Sequence, residues 1–159
     1  MIQINKNSSQ DLFKSLIQDK IEQKLSYMPE GFNQEQKKAL ELFQSRIYLE
    51  EIIDKTITFN KNLTWEDSTP NLKLATTAEE LVEVFKLRSE VFEQMGYLDE
   101  FNNPIEGLNF DRYDTNSAVI YYENNKEVSG TIRLIFDSKY GLPSEEKYSF
   151  ESKKKYTTV

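Results

Sequence analysis

At Asn124-Asn125-Lys126 the chain is written to turn back on itself. The flanking segments, Ser117 to Glu123 and Glu127 to Phe136, both read as strands, and asparagine tolerates the positive φ that a tight hairpin turn demands. Successive side chains of a strand point to opposite faces. Val128, Gly130, Ile132, Leu134 and Phe136 are therefore expected on one face, with Ser129, Thr131, Arg133 and Ile135 on the other. An antiparallel hairpin near the C-terminal end excludes an all-helical fold, and what precedes it decides between all-β and α+β.

What precedes it is largely helical. Leu12, Phe13, Leu16, Ile17, Ile21 and Leu25 form one stripe at helical spacing between Ser8, a candidate N-cap, and Met28. Pro29-Glu30-Gly31 breaks that helix. Asn33 then opens a longer one, with Leu40, Phe43, Ile47, Ile53 and Ile57 expected on its apolar face. The pair reads as a helical hairpin over 1–62, packing on the rest of the chain or on a second copy. Residues 63–71 read as a polar linker. Leu72 and Leu74 sit in a short strand-like run, and Thr77-Ala78-Glu79-Glu80 is a capping box for a helix reaching about Met95 and closed by Gly96. Residues 97–116 are rich in Asn, Asp, Gly and Pro and read as an irregular loop before the hairpin. The fold class is α+β.

The chain has neither cysteine nor histidine. This excludes disulfides, thiol nucleophiles, Ser-His-Asp catalysis and the ordinary zinc site, so no metal is expected. Any general base must be a carboxylate, a tyrosine, a lysine or a positioned water. A net charge of −7 opposes nucleic-acid binding. A local basic patch for an acidic partner is still available in Lys139, Lys147 and Lys153-Lys154-Lys155. No apolar run is long enough to span a bilayer, and the polar Met1-Ile2-Gln3-Ile4-Asn5-Lys6 start is unlike a secretory signal, which points to the cytoplasm.

Within the helix after Thr77, the apolar stripe Leu81, Val84, Phe85, Val91, Phe92, Met95 contains Arg88. A guanidinium turned toward a core keeps its charge and needs a carboxylate or an array of carbonyls opposite it. It can serve a structural ion pair, snorkel to water, or line an active site. Asp111 and Asp114 are its natural partners, and a carboxylate pair can also hold a cationic amine. Tyr113 between them reads as a packing residue. Arg133, mid-strand among Ile132, Leu134 and Ile135, seeks either those carboxylates or the carboxylate of a substrate, unless it lies on an exposed sheet face.

Taken in order, Arg88 and Phe92, Gly96-Tyr97, Phe110-Asp111-Arg112-Tyr113-Asp114 and Gly130-Thr131-Ile132-Arg133-Leu134 resemble the front half of the acyl-homoserine-lactone synthases and the N-acyl amino acid synthases. Both are GNAT-type acyltransferases. The resemblance covers about residues 72–150. It departs from the homoserine-lactone pattern at Asn109, where those enzymes carry an acid, and at Tyr97, where they carry tryptophan. Leu142-Pro143-Ser144-Glu145-Glu146-Lys147 resembles the Leu-Pro-x-Glu segment of the amino acid branch.

This resemblance implies a GNAT-like domain over 72–159, with the thioester-binding half expected beyond Val159. It also implies an N-acyltransferase moving a long-chain acyl group from an acyl-carrier-protein or CoA thioester, a co-substrate rather than a bound cofactor, to the amine of an amino acid. Asp111 and Asp114 would be its catalytic carboxylates. Arg88, Phe92, Tyr97 and Arg133 would line the amine substrate. The alternative is a truncated, noncatalytic module that acts by protein association, self-associating through the helical hairpin or an unpaired sheet edge.

Overall fold

The computed structural model describes residues 32–66, 69–97 and 105–148. The expected helix from Ser8 to Met28 and the Lys153-Lys154-Lys155 cluster lie outside the described residues. Helix α1 spans Phe32–Lys61 and so starts before the expected cap at Asn33. Strand β1 (Leu72–Leu74) follows, then helix α2 (Ala78–Gln94) and a 3-10 turn (Arg112–Asn116). Strands β2 (Ser117–Asn124) and β3 (Glu127–Ile135) and a short helix α3 (Pro143–Lys147) complete the order. The α+β layout read from the sequence is present.

The three strands form one antiparallel sheet in the order β1-β2-β3. Asn125 and Lys126 both have positive φ, 52° and 67°, as the hairpin turn between β2 and β3 requires. A bulge at Tyr122/Glu123 pairs Tyr122 with Gly130 but Glu123 with Val128. It corrects the expected alternation: the extra residue moves Val128 off the face of Ile132 and Leu134, and its side chain packs against the core. Phe136 departs as well, its ring meeting Phe59 of α1 at 5.4 Å.

The core lies between one face of the sheet and helices α1 and α2. It is built from Leu49, Ile52 and Ile53 of α1, Leu81, Val84 and Phe85 of α2, and Val119 and Tyr121 of β2, all buried. Two expectations about helical faces are corrected. On α1 the buried stripe is Leu49, Ile52, Ile53, Thr56 and Asn60, whereas Leu40, Phe43 and Ile47 are exposed. Thr56 fits that stripe because its hydroxyl donates to the Ile52 carbonyl one turn back. On α2 burial ends at Arg88 and Ser89, and Val91 and Met95 face out.

Asn60, near the end of α1, is a core residue. Ala75 donates its N–H to the Val119 carbonyl at 2.8 Å, and the return bond between these strands runs through the Asn60 carboxamide. Nδ2 donates to the Ala75 carbonyl (2.7 Å), and Oδ1 accepts from the Val119 N–H (3.4 Å). A side-chain amide has the donor and acceptor of a peptide unit, so it substitutes for one where the two strands part.

Both ends of α2 are fixed by local chemistry. At its N-terminus, Glu80 Oε2 accepts from the N–H groups of Thr76 and Thr77, and Thr77 Oγ1 accepts from the Glu80 N–H. Glu80 Oε1 also accepts from the Tyr121 hydroxyl at 2.9 Å, tying the cap to β2. At the C-terminus, Gly96 (φ 74°) donates to Glu93 and Tyr97 donates to Phe92, a Schellman arrangement that turns the chain toward the loop.

Candidate functional site

The acidic loop carries its own folding instruction. Asp111 is the N-cap of the 3-10 turn, with Oδ1 accepting from the Tyr113 N–H, and Asp114 Oδ2 accepts in return from the Asp111 N–H. The preceding Ile105, Leu108 and Phe110 are buried, and the Asn109 N–H bonds the Phe85 carbonyl, so the loop is fastened to α2. These contacts set the two carboxylates against the arginines of α2 and β3.

Arg88 Nη1 donates to Asp114 Oδ1 at 2.8 Å. Arg133 grips Asp111 with both nitrogens, Nη1 to Oδ1 and Nη2 to Oδ2, each 2.8 Å, and its Nη1 is also 3.1 Å from Asp114 Oδ1. Four charges thus form one alternating network. Burial opposes the charge of Arg133, but the bonds to Asp111 and the field of Asp114 outweigh it and hold the guanidinium above its ordinary pKa.

The network has an inner and an outer side. Asp114 is fully enclosed, its side chain 0% exposed, and every bond made by its oxygens is to the protein. Arg88 is 9% exposed, and its Nη2 is buried without a hydrogen-bond partner. Asp111 is 43% exposed, so its carboxylate is the one an incoming molecule can reach. Of the residues expected to line a substrate, Arg88 and Arg133 are brought together here with Asp111 and Asp114. Phe92 is half-buried one turn beyond Arg88, and Tyr97 is exposed past the end of α2. Among the described residues Tyr97 makes no hydrogen bond or ion pair with the charged cluster.

Tyr113 is buried as expected of a packing residue, and its hydroxyl also has a specific role. It makes a short bond to Glu146 of α3, and Arg112 Nη2 donates to the same carboxylate at 2.6 Å. This fastens α3 to the acidic loop. A residue that sequence reasoning missed is Tyr48 of α1. Its ring lies 5.6 Å from that of Phe110, and its phenol is pushed to higher pKa by burial first, then by the negative fields of Asp111 and Asp114. The only available signal was its place beside Leu49 in the buried stripe.

Among the described residues no group of three or more acidic side chains is arranged to hold a metal ion. No described helix is long and apolar enough to cross a membrane. An open groove of about 440 Å³ lies between α1 and the segment after β3, lined by residues including Asp54, Phe59, Asn116 and Tyr140, and none of the four network residues lines it.

Residues 83–155 match the family model described as N-acyl amino acid synthase FeeM. That span, just under half of the chain, includes the whole charged network and excludes α1. No curated protein and no solved structure gives a significant match to the chain.

Proposed function

We propose that this chain forms the amine-accepting side of an N-acyltransferase. It would move an acyl group from an acyl-carrier-protein or CoA thioester to the amine of an amino acid, on a GNAT-type scaffold. The observation that carries this reading is a reachable carboxylate, Asp111, locked in orientation by Arg133 inside the segment similar to N-acyl amino acid synthases.

An amino acid arrives with its amine protonated and unreactive. Asp111, directly or through a water it holds, accepts one ammonium proton, and the freed nitrogen lone pair attacks the thioester carbonyl. The C–N bond forms, the C–S bond breaks, and the departing thiolate takes the second proton from nitrogen. Asp111 then returns its proton to solvent. Asp114 and Arg88 act through Arg133 and the loop: they fix where Asp111 stands, and orientation of this kind supplies a large part of the rate in such transfers.

The test is product formation. Cells expressing the complete gene that encodes this chain are grown with the common amino acids, and their lipid extracts are analysed. The expected result is an N-acyl amino acid detected by mass spectrometry and lost in Asp111→Asn. No N-acyl amino acid in cells expressing the complete gene overturns the reading.

A noncatalytic role through protein association is favoured by one observation. On the sheet face opposite the helices, Ile132 and Leu134 are 65% and 60% exposed. Size-exclusion chromatography addresses it: a chain that runs as a monomer at all concentrations, and is active, dispenses with that reading.

A further inference from the structure

We infer that residues 8–28 dock antiparallel along the first half of α1 and cover Leu40, Phe43 and Ile47 within the same chain. The inference is independent of the acyltransfer reading, because α1 lies outside the segment similar to the synthases.

Helix α1 carries two apolar stripes, and they face opposite ways. An α-helix turns about 100° per residue, which sets Leu40, Phe43 and Ile47 on one side and Leu49, Ile52, Ile53 and Thr56 about 180° away. The second stripe is buried in the core, and the first is exposed. No tilt of α1 on the domain covers both. Among the described residues from Gln34 to Ile47 no side chain is buried, so the first half of the helix runs out from the core. A helical stretch of about 14 residues is marginal in water by itself and is ordinarily held by the packing of an apolar face.

The sequence just before α1 supplies the cover. Residues 8–28 lie outside the described residues, and in their apolar stripe Phe13, Ile17, Ile21 and Leu25 recur every four positions. Only Pro29-Glu30-Gly31 separates Met28 from Phe32, and so short a connection makes two helices antiparallel neighbours. A fold-back centred on Glu30 sets Ile21 opposite Leu40, Ile17 opposite Phe43 and Phe13 opposite Ile47. The two stripes meet along their length without a slip of register. The other uncovered apolar surface, Ile132 and Leu134 on the sheet, fits the segment less well. Met28 is tied to the start of α1, about 25 Å along the helix from Leu49, the first buried residue. A second copy would have to displace a segment whose short tether holds it at an effective concentration on the order of millimolar.

Two measurements on the full chain test this. The chain has no cysteine, so an introduced pair reports without background. Ile17→Cys with Phe43→Cys is expected to close an intramolecular disulfide in a glutathione buffer, seen as a monomer that resists thiol alkylation until it is reduced. Asp19→Cys with Phe43→Cys, at the same level but on the opposite side of the segment, is expected to stay open. Failure of the first pair, equal closure of both, or a disulfide joining two chains each overturns the inference, the last in favour of a second copy. The second measurement needs no cysteine. Ile17→Asp is expected to accelerate hydrogen exchange at residues 37–47 by at least about tenfold, the scale of one large apolar side chain losing its burial. Residues 52–60 are expected to exchange as in wild type. Unchanged exchange at 37–47 overturns the inference. Equal acceleration at 52–60 also overturns it, since that would place the segment on the core of the domain.

Discussion

Arg133 of β3 holds Asp111 of the acidic loop through two parallel hydrogen bonds of equal length, 2.8 Å, one to each carboxylate oxygen. Only a planar guanidinium can make that pairing, and it fixes the plane of the carboxylate as well as its distance. The loop that carries Asp111 is thereby registered against the sheet.

Arg133→Lys keeps the charge and loses the fork. One ammonium cannot serve both Asp111 oxygens and the buried Asp114 together. Acyl transfer is expected to fall by roughly tenfold or more, with about 1–3 kcal/mol of stability lost in denaturant unfolding. A lysine variant with full activity would contradict the assigned geometry.

The two aspartates should separate by stability. Asp114→Asn leaves two arginines facing a neutral group in an enclosed site, and about 3–5 kcal/mol is expected to be lost. Asp111 is nearly half exposed and its charge is screened, so Asp111→Asn is expected to cost about 1 kcal/mol or less while abolishing transfer. Paired melts and product assays read both. The reverse order of stabilities would place the enclosed carboxylate wrongly.

Alkaline pH should unfold this protein early. Tyr121 is raised above the usual tyrosine pKa of 10.0, by burial first and then by Glu80; Tyr48 and Tyr113 are raised too, again by burial first. A group whose folded pKa is raised contributes stability that is complete below its unfolded pKa and is lost as pH climbs toward the folded one. The denaturation midpoint should therefore be flat below about pH 9 and decline above 10. In Tyr121→Phe that decline should be shallower. An identical slope in both proteins would rule out Tyr121 as a source.

Asn60→Ala removes the carboxamide between Ala75 and Val119 and leaves a buried carbonyl and a buried N–H without partners. About 2–4 kcal/mol of destabilisation is expected from these two groups. Asn60→Asp should be no better, since it removes the donor and buries a charge. Hydrogen exchange at the Val119 amide should accelerate in both.

The local signals were legible wherever the chemistry was local. The Thr77/Glu80 capping box, the αL glycine at Gly96 and the asparagine-led hairpin turn are each decided by residues within one turn of one another, and each stands as read. The pairing of Arg88 with an aspartate of the loop was legible for a different reason: a charge on an apolar stripe has few solutions. The buried face of α1 was legible only in its second half, where Ile53 and Ile57 pack as expected. Leu40, Phe43, Ile47 and Leu49, Ile52, Ile53 are both apolar series at helical spacing, and only the packing partner chooses between them. Thr56 and Asn60 disguised the true stripe, because their polar groups are satisfied by backbone atoms, one of them distant in sequence. Tyr48 went unnoticed for the same reason. The bulge that moves Val128 is likewise a property of the strand pair, invisible in either strand alone.

The capping box of the 3-10 turn has a consequence for how this site can change over generations. Asp111 and Asp114 spend the same carboxylate groups on the backbone N–H groups of their own loop and on the two arginines. Chemistry and chain geometry are therefore inherited together there. Lengthening either side chain by one methylene redraws the turn as well as the charge. Variation therefore has little freedom at those two positions, because any change of charge there is also a change of turn.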